Sequence, residues 1–278
     1  MELHLGFSPC PNDTFIFDAM LHGKIDTEGI TFIPVIEDVE TLNQKALQQE
    51  LAITKLSYHA FAHLVDKYIL LDAGSALGFG VGPLLISKNK IENIEDKIAN
   101  LKIGIPGKLT TANFLLNIAF PQAQQKVEMV FSEIENALIN EEIDLGLIIH
   151  ENRFTYAAKG LHKVIDLGSF WEQKTGSAIP LGGIVMSRKY DKQTLDKVNR
   201  IMASSVEFAM KNPLSSASFV KQHAQEMEES VMVKHIQLYV NKYSLNLGVE
   251  GRKAVSTLLD SAVAQGLILP FTHPIFID

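Results

Sequence analysis

The sequence predicts an α/β protein of two domains, each a mainly parallel sheet flanked by helices, with a ligand cleft between them. Three observations carry that prediction. Short apolar runs of strand length alternate with segments of helical period, as in βαβ units. Two extended segments, residues 83–87 and 183–187, bracket a middle stretch of ordinary domain size. Small polar clusters recur directly after the strands, where open α/β sheets place their ligands. The simplest layout makes residues 1–86 with 184–278 one discontinuous domain and 87–183 an insertion. The two linking strands then form a hinge that closes on ligand.

Residues 3–7 read as a first strand, with Leu3, Leu5 and Phe7 alternating. Asn12 or Asp13 can cap the helix over 14–21, which Gly23 closes. A second strand over 30–36 precedes a helix over 37–49, where Val39, Leu42 and Ala46 share a face. Residues 51–54 form a third strand, Ser57 is placed to cap a helix reaching 64, and 68–71 is a fourth strand. A glycine-rich bend over 73–83 leads into the middle stretch. There, 101–105 is a strand turned by Pro106 and Gly107, and Thr110 or Thr111 caps a helix to 119. A strand over 127–131 follows, and Ser132 with Glu135 reads as a capping box. Residues 144–149 form a short apolar run suited to a buried strand, and 163–167 completes the unit. The last third reads as mostly helical. The expected helices are 191–211, with Leu195, Val198, Met202 and Val206 on one stripe, then 214–226, 230–243 and 249–265. No internal repeat is evident.

The 278 residues are 46% hydrophobic and 21% charged, ordinary for a soluble globular protein. A net charge of −7 argues against nucleic acid or an anionic membrane as partner. Cys10 is the single cysteine, so an intrachain disulfide and a thiolate zinc site are both excluded. The N-terminal stretch has neither the basic segment nor the apolar core of a signal peptide, so a cytoplasmic location is expected. Nothing in the sequence fixes the oligomeric state.

The chemistry concentrates after the strands. His150 and Glu151 end the apolar run at 144–149, followed by Asn152 and Arg153. A histidine there can simply cap the strand, or it can serve as a catalytic base facing a ligand. Ser8 to Asp13 follow the first strand and include Asn12; Lys55 and Ser57 follow the third; Ser75 lies in the bend after the fourth. Thr110 and Thr111 open a helix, whose positive end favours an anionic group. Each is an ordinary cap or turn residue taken alone, and Lys55 alone could be a solvated lysine. Their convergence on one cleft is better explained by a small-molecule site. His59 and His63 are four apart but lack the glutamate of HExxH and a third ligand, so no metal is expected. Cys10 has no evident neighbouring base and reads as a pocket-wall residue. The bend lacks the Lys-Ser/Thr pair of a phosphate-binding loop.

Taken together, SPCPNDTFIFDAM, EDVETLN, TKLSYHA, GSALGFGVGPLL, IPGKLTTA, LIIHENRFTY and PLGGIVMS give the chain the look of a known family. It resembles the 1,4-dihydroxy-6-naphthoate synthases of the futalosine route to menaquinone, over nearly its full length. The resemblance implies a fold like the type II periplasmic binding proteins and a reaction that needs no cofactor. It implies His150 as the base, with Ser57 and Thr111 among the residues that hold a carboxylate-bearing substrate, cyclic dehypoxanthinyl futalosine. Two rivals share that fold: a chorismate dehydratase of the same pathway, and a non-catalytic small-molecule receptor. HENRFTY and PLGGI favour the synthase.

Overall fold

The computed structural model describes residues 1–224 and 228–277. They form two compact units, Met1–Gly78 with Pro180–Asp278, and Phe79–Ile179. The first unit opens with β1 (Glu2–Phe7), α1 (Pro11–Leu21), β2 (Thr31–Ile36), α2 (Val39–Leu47) and β3 (Ile53–Ser57). It continues through α3 (Tyr58–Ala62), β4 (Tyr68–Leu70) and β5 (Ala76–Gly78). The second unit runs through β6 (Leu84–Ser87), α4 (Ile94–Lys97), β7 (Ile103–Ile105), α5 (Thr111–Ala119) and β8 (Lys126–Glu128). It ends with α6 (Ile134–Ile139), β9 (Leu145–Ile148), α7 (Asn152–Thr155), β10 (His162–Asp166) and α8 (Leu167–Thr175). The first unit is then completed by β11 (Ile179–Ser187), α9 (Lys192–Lys211), α10 (Ala217–His223), α11 (Glu229–Tyr239), α12 (Lys242–Leu245) and α13 (Gly248–Ala264).

The two sheets have the same plan. Strand order is β2-β1-β3-β11-β4 in the first, with β5 also on β11, and β8-β7-β9-β6-β10 in the second. In the first, β1 is parallel to β2 and β3, while β11 is antiparallel to β3 and β4. In the second, β7 is parallel to β8 and β9, while β6 is antiparallel to β9 and β10. Four strands of each path therefore run one way and one runs back, so both sheets are mixed. The expectation of mainly parallel sheets holds for four strands of each path, and β6 and β11 run against it for a physical reason. Each follows a passage of the chain from the other unit, and the helical crossover that enforces parallel pairing applies only to strands joined within one sheet. The segments expected to link two domains are thus interior strands, and the unit boundaries fall before them, at 78/79 and 179/180. The repeat of topology has no counterpart in repeated sequence.

Several local expectations shift. Helix α1 begins at Pro11, with Cys10 as its N-cap, so Asn12 and Asp13 lie in its first turn rather than at the cap. Proline is at home there because its missing N–H has no intrahelical acceptor to lose. Ser57 is the N-cap of α3 but makes no side-chain cap bond. The capping box of Ser132 and Glu135 does not form: a 3-10 turn at Phe131–Glu133 leads directly into α6. The helix expected over 230–243 is two, because Asn241 and Ser244 form a capping box that restarts the chain as α12. The helix expected over 214–226 is α10, and its positions 225 and 226 lie outside the described residues.

Each unit has its own core. Leu3, Leu5 and Phe7 of β1 join Phe15 and Phe17 of α1 and Val198, Met202 and Val206 of α9. In the second unit, Ile86 and Ile148 pack with Ile134 and Leu138 of α6. Among the described residues no helix is long and apolar enough to cross a membrane. Gly82 and Gly168 meet backbone to backbone: a Cβ on Gly82 would stand 2.2 Å from the Gly168 Cα. No side chain can yield there, so Gly82→Ala should destabilise the fold by about 1–3 kcal/mol or more. Thermal unfolding measures this, and an unchanged midpoint would show the approach to be slack.

Candidate functional site

In the first unit, β1, β3 and β4 share one direction, so their carboxyl ends lie along one edge of the sheet. Lys55 and Ser57, two apart at the end of β3, project to the same face. Lys55 is not a solvated lysine. Its side chain is 8% exposed, and Nζ lies 2.6 Å from Asp13 Oδ1 and 3.5 Å from the Gly74 carbonyl. An ammonium carries three donors, and these two contacts leave one over. Asp13 Oδ2 accepts from the Ser8 amide at 3.2 Å and from the Ser8 hydroxyl at 2.8 Å. Asn12 donates its amide nitrogen to Asp13 Oδ1 at 2.8 Å. Ser57 is held by Asn43, whose Nδ2 donates to Oγ at 3.2 Å while Oδ1 receives the Ser57 N–H at 3.1 Å. The Ser57 hydroxyl hydrogen remains to donate. One strand face thus offers an N–H and an O–H, the pair that an oxyanion or carbonyl oxygen would accept.

Ser75 contributes differently, because its Oγ pairs with the buried Tyr58 hydroxyl at 2.7 Å. Burial pushes the Tyr58 phenol well above its usual range, the Ser75 bond opposes this, and the nearby Asp72 charge adds to it. The phenol is therefore a neutral hydroxyl at physiological pH. Gly182 and Gly183 of β11 make room for this group of side chains. A Cβ on Gly182 would meet Leu56 O at 2.8 Å and Lys55 Cε at 3.2 Å; one on Gly183 would meet the Tyr58 hydroxyl at 2.8 Å.

In the second unit, the polar residues again follow parallel neighbours, β7 and β9. Thr110 is the N-cap of α5: its Oγ1 accepts from the Asn113 N–H at 3.2 Å and donates to the Gly107 carbonyl at 2.8 Å. Its single hydroxyl hydrogen is engaged, while buried Thr111 is the first helical residue at the positive end of α5. His150 follows β9 with a left-handed backbone, φ 56°. That conformation is costly for a side chain with a Cβ and collects at functional sites. The Phe131 ring stands edge-on to the imidazole, 4.9 Å between centroids.

The turn is pinned just beyond His150. Asn152 Nδ2 donates to Glu135 Oε2 at 2.7 Å, and Lys159 Nζ meets the same oxygen at 2.6 Å. Arg153 donates to the Gly82 carbonyl and to Asp166 Oδ2, at 3.0 Å for the latter. Asp166 Oδ1 also accepts the Gly168 and Ser169 amides at 2.9 and 3.1 Å, capping α8. Arg153, expected as a substrate contact, uses two of its five donors to fasten this turn. Sequence reasoning took Asp13 and Glu135 for caps; each is instead a buried carboxylate gathering donors. It passed over Asn43, Tyr58 and His235 altogether. The one available signal for Glu135 was its place among apolar residues in IENALI. His59 and His63 do lie together, with ring centroids 5.3 Å apart, and burial holds His63 below its ordinary pKa.

A family model described as menaquinone biosynthesis matches residues 3–264. The chain belongs to that family. Two curated members are named 1,4-dihydroxy-6-naphthoate synthase. The Thermus thermophilus protein is 42% identical over 99% of each chain. The Streptomyces coelicolor protein is 37% identical over 96% of this chain and 94% of its own. A crystal structure from Archaeoglobus fulgidus superposes with a TM-score of 0.90 at 36% identity, covering 96% of this chain and 98% of that one. A Candida albicans protein described as having the generic periplasmic binding protein fold gives 0.66 at 13% identity, over 98% and 92% of the two chains. The fold of this menaquinone-biosynthesis family member is accordingly periplasmic-binding-protein-like.

Glu135 is the anchor of the His150 turn most open to test. Glu135→Leu leaves the buried Asn152 amide without its acceptor, an expected loss of about 1–3 kcal/mol in urea unfolding. Amide hydrogen exchange over residues 150–153 should quicken while β1–β3 stay protected. A wild-type midpoint with unchanged exchange would show that Asn152 is held by something else.

Proposed function

We propose that the chain is a 1,4-dihydroxy-6-naphthoate synthase, a cytoplasmic carbon–carbon lyase of the futalosine route to menaquinone. The reading is supported by family membership and by two relatives of that name at 42% and 37% identity over nearly the whole chain. Its substrate is cyclic dehypoxanthinyl futalosine, a carboxylate-bearing bicycle with a spiro-linked sugar remnant. The observation that carries the mechanism is the His150 imidazole, presented by a left-handed turn at the end of β9.

His150 takes the proton of a hydroxyl on the sugar remnant, and that oxygen becomes a carbonyl as the C–C bond between remnant and ring breaks. The electron pair passes into the ring system onto its carbonyl oxygen, which is then protonated, and aromatisation supplies the driving force. The protein positions the substrate and moves protons, so no redox group or metal is required. The α5 start at Thr110 and Thr111 suits the ring carboxylate, since the positive end of the helix dipole favours negative charge. The spare donors of Lys55 and Ser57 suit oxygens of the substrate, and Asn12 and Ser75 complete the proposed set of substrate-binding residues.

His150→Asn separates chemistry from folding, because asparagine tolerates the left-handed backbone that His150 occupies. The variant should fold with wild-type stability and bind product about as well. Its kcat should fall by about 10²–10⁴-fold, the usual contribution of a general base. Retention of more than about a tenth of the activity is too small an effect for that role. Loss of product binding in a folded variant would make His150 a binding residue instead.

A further inference from the structure

We infer that His235, far from β3 in the sequence, is a positioning residue for the Lys55 ammonium, acting through Asn12 and Asp13. The inference builds on the proposed function in one respect, that Lys55 contacts the substrate. His235 lies on the inward stripe of α11 with Val231, Met232 and Tyr239, and it is fully buried. Its ring packs against that of Tyr239, 4.6 Å between centroids, and its Nε2 is 2.8 Å from Asn12 Oδ1.

The chemistry of the chain of bonds leaves one arrangement. Asp13 is a carboxylate facing an ammonium at 2.6 Å, so its Oδ1 can only accept. The group of Asn12 that points at Asp13 Oδ1, at 2.8 Å, must therefore be the NH2. That turns the Asn12 carbonyl oxygen towards His235 and requires a hydrogen on Nε2. The relay runs from the His235 N–H to the Asn12 carbonyl, from the Asn12 amide to Asp13, and from Lys55 to Asp13. Both carboxylate oxygens are then held by two donors each: Asn12 and Lys55 on Oδ1, the Ser8 amide and hydroxyl on Oδ2. The carboxylate cannot rotate without breaking several bonds at once, and it is the closest partner of the Lys55 ammonium, the other contact being 3.5 Å long.

Without a donor at position 235, the Asn12 carbonyl oxygen is left buried without that hydrogen bond, and the side chain can shift off Asp13 to find another. Oδ1 then loses a donor, and the Lys55 ammonium loses its fixed direction. A displacement of about half an ångström is enough to spoil a preorganised contact. The effect of His235 on Lys55 travels through Asn12 and Asp13.

Three measurements test this. In the wild-type protein, long-range 1H–15N spectra should show the His235 hydrogen on Nε2; a hydrogen on Nδ1 alone overturns the relay and needs no variant. In 15N-lysine-labelled protein, the Lys55 ammonium signal should be seen in wild type and in His235→Gln, which keeps a donor at that reach, and be shifted or lost in His235→Leu. An identical signal in all three overturns the inference. Neither spectrum uses a substrate, so the relay stands or falls even if the proposed reaction proves wrong. In kinetics with cyclic dehypoxanthinyl futalosine, His235→Leu should raise KM about tenfold with kcat changed by less than about threefold, and His235→Gln should restore it. In a Lys55→Met background the same His235→Leu change should add less than about twofold, since coupled residues are non-additive. A full, additive loss in that background would mean that His235 acts on stability rather than on Lys55.

Discussion

A lysine can be buried in this fold only if its charge is answered, and Asp13 does that. Taking an ammonium and a carboxylate out of water costs several kcal/mol per ion, and the attraction between them recovers this only with good geometry and further hydrogen bonds. The structure supplies both: a 2.6 Å contact between side chains 8% and 2% exposed, with three more donors on the carboxylate. The features around it follow from that need. The chain turns sharply after β1 so that Ser8, Asn12 and Asp13 meet one another. Gly182 in β11 carries no Cβ because Lys55 Cε and a backbone carbonyl occupy that space. The donors of Lys55 and Ser57 can then be aimed rather than left to solvent.

The second unit repeats the strand order and polarity of the first but equips the carboxyl ends differently. Here the means are a helix start at Thr111 and an imidazole held in a left-handed turn, with Glu135, Asp166 and Arg153 bracing that turn from behind. Strain at His150 persists because its neighbours are fastened on several sides. Rigidity comes from carboxylates that each gather more than one donor, in both units. Under the proposed function, the base and the donors are thereby set in place before the substrate arrives.

Much of this was readable in the sequence, and the failures have physical causes. Strand and helix alternation followed from local period, which β1, β3 and β9 state plainly. The senses of β6 and β11 could not be read, because direction within a sheet depends on where the chain has come from. Lys55, Ser57, Thr111 and His150 were singled out because they follow strands, and the structure puts them at strand ends or the helix start beyond. Arg153 was singled out by the same rule, but its bonds to Asp166 and the Gly82 carbonyl could not be read, since position after a strand does not say which way a guanidinium points. Asp13, Glu135 and His235 were missed because their partners are distant in sequence. Asp13 meets Lys55 42 residues on, and His235 meets Asn12 across 223. A buried histidine on an apolar helix stripe was the only local sign of the latter.

The central claim is that this chain cleaves cyclic dehypoxanthinyl futalosine. Incubating the purified protein separately with that compound and with chorismate, and following both by mass spectrometry, tests it most directly. The account predicts 1,4-dihydroxy-6-naphthoate from the first incubation and unchanged chorismate in the second. Loss of water from chorismate, or binding of the futalosine derivative with no product, would contradict it.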